Sequence, residues 1–180
     1  MRKEIFLDMD DTIAALSEHV ISIYNQETGE NFDWRNNKKW MWTDADKMKV
    51  EYFHNMLYRK GIFRDCEVLG GKETVEYINE LTNSHEVYII TSPMPQNYEC
   101  FGEKIEWIQE QGFRIPEQKI IFIRDKGFCA GKNKILVDDK IAQLDSWNWN
   151  DGLAICMNHG WNQSWVGKRI FKIQELDRYL

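Results

Sequence analysis

Near the N-terminus a short apolar run, Ile5-Phe6-Leu7, breaks into Asp8-Met9-Asp10-Asp11, three acids in four residues. A run of that length bounded by polar residues reads as a buried strand. Carboxylates crowded at the tip of a buried strand repel one another and lose hydration, a high cost for a merely structural turn. A cation relieves both costs, and hard oxygen ligands suit magnesium. The competing reading is a solvated acidic turn after a strand. The rest of the chain decides between them.

Behind the acids, Leu16, Val20, Ile21 and Tyr24 fall at helical spacing, and Gly29 stops that helix. Residues 31–43 are irregular and rich in tryptophan. Met48, Tyr52, Met56 and Leu57 then give a second helix an apolar stripe, with Thr43 or Asp44 as its cap and Gly61 at its end. From Gly70 the pattern changes to alternating helix and strand. It predicts a helix over 74–81, a strand over 86–91 ending in Thr-Ser-Pro, and a helix over 103–111 closed by Gly112. Strands over 119–123, 134–137 and 153–157 follow, then a turn-rich segment and a short terminal helix near 174–180. Such alternation predicts an α/β fold: a Rossmann-like parallel sheet with helices on both faces. Residues 1–13 and 69–180 would form the core, and residues 14–68 a small helical cap inserted after the first strand.

A chain of 180 residues can hold one such core with a small insertion. The net charge of −6 argues against a polynucleotide-binding surface, though a single phosphorylated nucleotide needs only local cations. No stretch approaches the ~20 apolar residues of a membrane span. Met1-Arg2-Lys3-Glu4 runs into a strand with no apolar leader, so the expected location is the cytoplasm. Cys66, Cys100, Cys129 and Cys156 lack the close spacing of a zinc site or disulfide framework. Gly70-Gly71-Lys72 is no P-loop, because Cys66 and Glu73 stand where Gly and Ser or Thr are required. The four histidines show no ligand spacing and are expected in structural roles.

Ligands of parallel α/β sheets bind beyond the carboxyl ends of the strands. Every polar group of interest follows an apolar run: Asp8 and Asp10, Thr91 and Ser92, Lys126, then Asp138 and Asp139. Acids from two strand ends can hold a divalent metal, while lysine and hydroxyl donors grip phosphoryl oxygens on its far side. One aspartate is then free to attack phosphorus, and another two residues on can protonate the leaving alcohol and later activate water.

Asp8-Met9-Asp10-Asp11-Thr12 resembles the D-x-D-x-T signature of the haloacid dehalogenase-like phosphatases, with Thr91, Lys126 and Asp138-Asp139 at the positions of its later motifs. Ile90-Thr91-Ser92-Pro93, Arg124-Asp125-Lys126 and Leu136-Val137-Asp138-Asp139 are closest to the 5'(3')-deoxyribonucleotidases, and Glu103-Lys104 also looks alike. The resemblance fades after about residue 140. It implies a magnesium-dependent phosphatase of (deoxy)ribonucleoside monophosphates, working through an aspartyl-phosphate and forming a homodimer. Asp8 would be the nucleophile and Asp10 the acid/base. Thr91, Ser92, Lys126 and Arg124 would face the substrate, and Trp40 or Trp42 would stack on the base. Mg2+ would be held by Asp8, the Asp10 backbone carbonyl, and Asp138 or Asp139. The interval from Lys126 to Asp138 is longer than the family pattern, so Lys132 is a second candidate for the motif lysine. Alternatives are a phosphatase of another small phosphate ester or of a polynucleotide 3' end. A different class is a phosphate-binding or receiver-like signalling domain, since Lys134–Asp139 also resembles the strand that opens a receiver.

Overall fold

A computed structural model describes residues 2–38 and 47–180. Among them the apolar runs form six strands: β1 (Glu4–Leu7), β2 (Glu86–Thr91), β3 (Ile120–Phe122), β4 (Lys134–Asp138), β5 (Leu153–Met157) and β6 (Lys168–Ile170). Their order is β3-β2-β1-β4-β5-β6, and every neighbouring pair is parallel. Parallel neighbours require crossovers over the faces, and helices supply most of them. Helices α1 (Leu16–Thr28), α2 (Lys47–Met56) and α3 (Lys72–Ser84) lie between β1 and β2; α4 (Glu99–Glu110) leads to β3, and α5 (Ile141–Trp149) links β4 to β5.

The strands are apolar on both sides because both sides are covered. Ile5, Leu7, Ile135 and Val137 point into one core with Ile78 and Leu81 of α3 and Trp107 and Ile108 of α4. Phe6 and Leu136, the alternate residues, enter a second core with Leu144 and Trp147 of α5. The period-two division is the pleat of a doubly covered sheet. A third cluster joins Leu16, Val20, Ile21 and Tyr24 of α1 to Phe53 and Met56 of α2, with Ile62, Phe63 and Cys100 beneath them.

The chain enters and leaves the α1–α2 region at one place. Ala14 bridges Val68 in antiparallel fashion, flanked by Ala15 N–H to the Glu67 carbonyl (2.9 Å) and Leu69 N–H to the Ile13 carbonyl (2.8 Å). This neck sits immediately behind the acidic end of β1.

Two features differ from the sequence expectation. Helix α5 breaks the apolar rhythm with Gln143, Asp145, Ser146 and Asn148, and buries only Gln143, Leu144 and Trp147. Strand β6 has three residues, of which only Ile170 is buried, and its Lys168 and Arg169 suit a protected sheet edge. The short helix expected near 174–180 is present as a 3-10 helix, Ile173–Tyr179. Its buried Ile173 and Leu176 stand three residues apart, which matches the three-residue turn of that helix. Thr43 and Asp44, offered as caps of α2, lie outside the described residues.

The order places the topological switch between β1 and β4, where sequential addition reverses direction. Receiver domains use the order 2-1-3-4-5 instead, so the topology excludes the receiver reading. No helix among the described residues is long and apolar enough to cross a membrane.

Candidate active site

The loop after β1 is wound tightly enough to bring its acids to the switch point. The Asp8 N–H extends the ladder to the Val137 carbonyl (2.9 Å). The Met9 carbonyl then accepts the N–H groups of Thr12, Ile13 and Ala14, while Asp11 adopts a left-handed φ of 56°. Asp11 lines the cavity edge with its carboxylate engaged by helix α1: it accepts the Ser17 N–H (2.8 Å) and the Ser17 hydroxyl (2.6 Å). It thereby satisfies the first turn of α1, where Ala15 provides no side-chain cap.

Asp8, Asp138 and Asp139 are all buried, and one carboxylate oxygen from each lies within 4.8 Å of the others. Lys126, only 2% exposed, donates to Asp8 Oδ1 and to Asp138 Oδ2, the latter at 2.5 Å. Asp138 Oδ1 accepts the Lys140 N–H (2.8 Å). Asp139 accepts the indole N–H of Trp161 at Oδ2 (2.8 Å). Two adjacent acids therefore differ in their partners: Asp138 is matched to a cation, Asp139 to a neutral donor.

Charge explains the titration of these groups. Two like charges that close cost about 3 kcal/mol at an effective dielectric of ~20. Burial lifts the Asp8 carboxyl to about 7; Lys126 opposes the rise, and Asp138 and Asp10 add to it. Asp139 is likewise raised, by burial and then by Asp138 and Asp8. Burial alone would lower Lys126, but Asp138 and Asp8 outweigh it and hold the ammonium above the ordinary lysine range. With the three acids ionised and Lys126 charged, the cluster carries two uncompensated negative charges. Buried hard oxygens with that excess fit a divalent cation such as magnesium.

A second lysine serves the other side. Lys104 of α4, fully buried, donates to Asp10 Oδ2 (2.5 Å), the Thr91 hydroxyl (2.7 Å) and the Ser92 carbonyl (3.2 Å). Asp10 Oδ1 is buried with no hydrogen-bond partner among the described residues. Sequence reasoning noticed Lys104 only as part of a likeness and gave it no place in the site. The signal was the helix itself: Cys100, Glu103, Lys104, Trp107 and Ile108 form the buried stripe of α4, and a lysine on an apolar stripe needs buried acids.

The other candidates fall as follows. Lys126 is bonded to the acids of the cluster, whereas Lys132 is exposed and has no described bond to them. Gln143 clamps the Lys126 loop, accepting the Lys126 N–H (2.9 Å) and donating to the Arg124 carbonyl (2.7 Å). Ser92 Oγ donates to the Ile123 carbonyl (3.2 Å), and Arg124 is exposed at the cavity rim. Asp10 contributes no carboxylate oxygen to the three-acid cluster. Trp40 and Trp42 lie outside the described residues. The cavity over these groups has a volume of about 600 Å³. Its far wall is apolar, from Val20 of α1, Val50 and Phe53 of α2, Leu57 and Phe63, and Met94.

His159 is buried behind the acidic loop. Its Nε2–H donates to the Asp11 carbonyl (2.5 Å), while its other side accepts the Asn162 N–H, which fixes the neutral tautomer. Burial pushes His159 down to about 4, against the pull of the Asp11 carbonyl. A buried neutral base takes up fewer protons than its unfolded counterpart between pH 4 and 6.5, so its contribution fades as pH falls through that window. His159→Gln should therefore show less acid destabilisation than wild type. By urea unfolding, the gap between pH 7.5 and 4 should shrink by at most about 3 kcal/mol. An unchanged gap would mean that His159 does not carry the acid sensitivity.

Solved structures with this architecture include a haloacid dehalogenase-like family hydrolase from Streptococcus pneumoniae, with TM-score 0.64 and 14% identity over 99% of this chain and 98% of that one. A HAD-type hydrolase from Bacillus subtilis, bound to magnesium, matches with TM-score 0.61 and 12% identity over 99% and 98%. The fold is that of the haloacid dehalogenase-like hydrolases. Within that class the sequence is more specific: the family described as 5' nucleotidase, deoxy (pyrimidine), cytosolic type C matches residues 2–178, and the chain belongs to it. The human cytosolic-type 5'(3')-deoxyribonucleotidase is 31% identical over 103 residues, 55% of this chain and 50% of that protein. The 5'(3')-deoxyribonucleotidase of Clostridium acetobutylicum is 26% identical over 145 residues, 80% and 77% of the two chains. The match thus spans about half the length of the human relative.

Proposed function

We propose that this chain is a magnesium-dependent phosphatase of (deoxy)nucleoside monophosphates, acting in the cytoplasm through an aspartyl-phosphate on Asp8. The observation that carries this reading is the pairing of two buried lysines with the acids of adjoining strands. Lys126 lies between Asp8 and Asp138 at the floor of the cavity, and Lys104, buried behind it, lies between Asp10 and Thr91. Family membership and the names of the two deoxyribonucleotidase relatives support the substrate class.

Asp8 and Asp139 would hold the cation with the Asp10 carbonyl, since both oxygens of Asp138 already have donors. The cation would supply positive charge against the phosphoryl oxygens and the ionised Asp8. Lys126, Lys104 and the Thr91 hydroxyl, with their present partners, stand ready to donate to a bound phosphate. An Asp8 oxygen forms the new bond to phosphorus as the ester P–O bond breaks, and Asp10 passes its proton to the departing alkoxide. Asp10 then takes a proton from water, whose oxygen displaces Asp8 and yields inorganic phosphate. Asp10 Oδ1, which has no partner among the described residues, is the atom suited to carry that proton. Residues 14–68 would act as the cap over the base, with the apolar wall of α1 and α2 as its lining.

Purified protein should release phosphate from deoxyuridine or thymidine monophosphate with Mg2+ and stop when EDTA is added. Absence of release from every nucleoside monophosphate would overturn the nucleotide assignment. Release from a simple aryl phosphate alone would favour the small-ester alternative.

A further inference from the structure

The segment after β5 makes the only side-chain contact among the described hydrogen bonds to the Asp139 carboxylate. Trp161 donates its indole N–H to Asp139 Oδ2 (2.8 Å), and Asn162 donates to the Asp139 backbone carbonyl (2.9 Å). Both donors are themselves fixed. The Trp161 ring stacks on His159 with centroids 4.3 Å apart and planes 4° from parallel. Asn162 donates to the Met157 carbonyl (2.7 Å) and accepts from Arg169 Nη1 (2.8 Å), while Arg169 Nη2 reaches the Asn162 carbonyl (2.8 Å). A chain of contacts thus runs from β6 through Asn162 and Trp161 to one acid of the cluster.

The two neighbouring acids have different uses for their partners. Lys126 neutralises Asp138, and the Lys140 N–H takes its other oxygen. Asp139 has a neutral donor at one oxygen, and that donor fixes the plane of the carboxylate. A carboxylate turns readily about its last bond. A donor held rigidly on Oδ2 leaves one direction for Oδ1 and removes the entropy that a metal would otherwise have to extract.

We propose that Trp161 is a positioning residue for divalent-cation binding: its indole N–H orients Asp139 so that Oδ1 is presented to the ion. This rests on the reading of Asp8, Asp139 and the Asp10 carbonyl as the holders of the cation. Supporting hydrogen bonds of this kind are typically worth about 10–100-fold in metal affinity.

The test is metal binding without substrate, by calorimetry with Mg2+ and by the loss of free Mn2+ signal in electron paramagnetic resonance. Trp161→Phe keeps an aromatic ring for His159 but loses the donor. Trp161→Gln loses the ring but carries an N–H2 group the same number of bonds from Cα. Positioning predicts that Phe weakens Mg2+ binding about 10-fold or more while Gln stays nearer to wild type. A purely structural tryptophan predicts the reverse order, because Gln is the larger insult to packing, and that order or equal affinities would overturn the proposal. If the Phe variant does not fold, Trp161→Leu against Trp161→Gln gives the same comparison. Failure of the wild-type protein to bind either ion would instead remove the cation site itself.

Discussion

Asp8→Asn should abolish phosphate release, by about 10⁴-fold or more, while the protein folds and melts at or above the wild-type temperature. The change is nearly isosteric, and the Asp8 N–H to the Val137 carbonyl is untouched. Lys126 keeps Asp138 as its partner, so no cation is stranded. The Asp8 carboxyl sits at about 7 in the fold against 3.8 ordinarily, so ionising it opposes folding. For an acid raised in this way, stability is lost as pH climbs from about 4 to about 7. The variant should then gain on wild type at pH 8 in the absence of divalent ions and gain nothing at pH 4. Phosphate release and thermal melts at the two pH values read both halves. Retained turnover would remove Asp8 from the nucleophile's role, and a loss of activity with a collapsed melt would leave only a packing defect.

The sheet and the acids were legible for one reason: parallel strands buried on both faces are continuous apolar runs, and the acids that end them are conspicuous. Strands β1, β2, β4 and β5 followed from runs such as Ile5-Phe6-Leu7 and Ile135-Leu136-Val137. Strand β6 did not, because an edge strand of three residues with Lys168 and Arg169 carries no apolar signature. Helix α5 was hidden by polar residues that serve the site: Gln143 faces inward to clamp the Lys126 loop, where periodicity expects an apolar side chain. Lys104 was obscured for a similar reason, since a buried lysine scores as a break in a hydrophobic stripe. Trp161 and Asn162 act from a loop, and a loop has no period from which a contact with Asp139 could be read. The positions that violated local patterning were those that hold or support charge at the switch point.

The same charge balance sets the largest expected loss of stability. Lys126→Met removes a cation bonded to both Asp8 and Asp138 and leaves three buried carboxylates facing one another. Removing one partner of a buried ion pair typically costs about 3–5 kcal/mol, because the other charge is stranded. At pH 8 without divalent ions the variant should lose about that much by urea unfolding. Lowering the pH should shrink the deficit, since Asp8 and Asp139 bind protons in the fold more readily than in the unfolded chain. Millimolar Mg2+ should also return part of the stability, because a ligand bound only by the folded state stabilises it by mass action. Activity should stay at least about 10²-fold below wild type even with the fold restored, for one of the donors proposed for the phosphoryl group is gone. Lys132→Met, at an exposed position in the same connection, should change neither stability nor turnover. A deficit in Lys126→Met that ignored both pH and Mg2+ would show that the lysine matters for its bulk. A deficit that answers to both would mean that Lys126 is there to balance the acids, and that the cluster is short of positive charge by design of its strand ends.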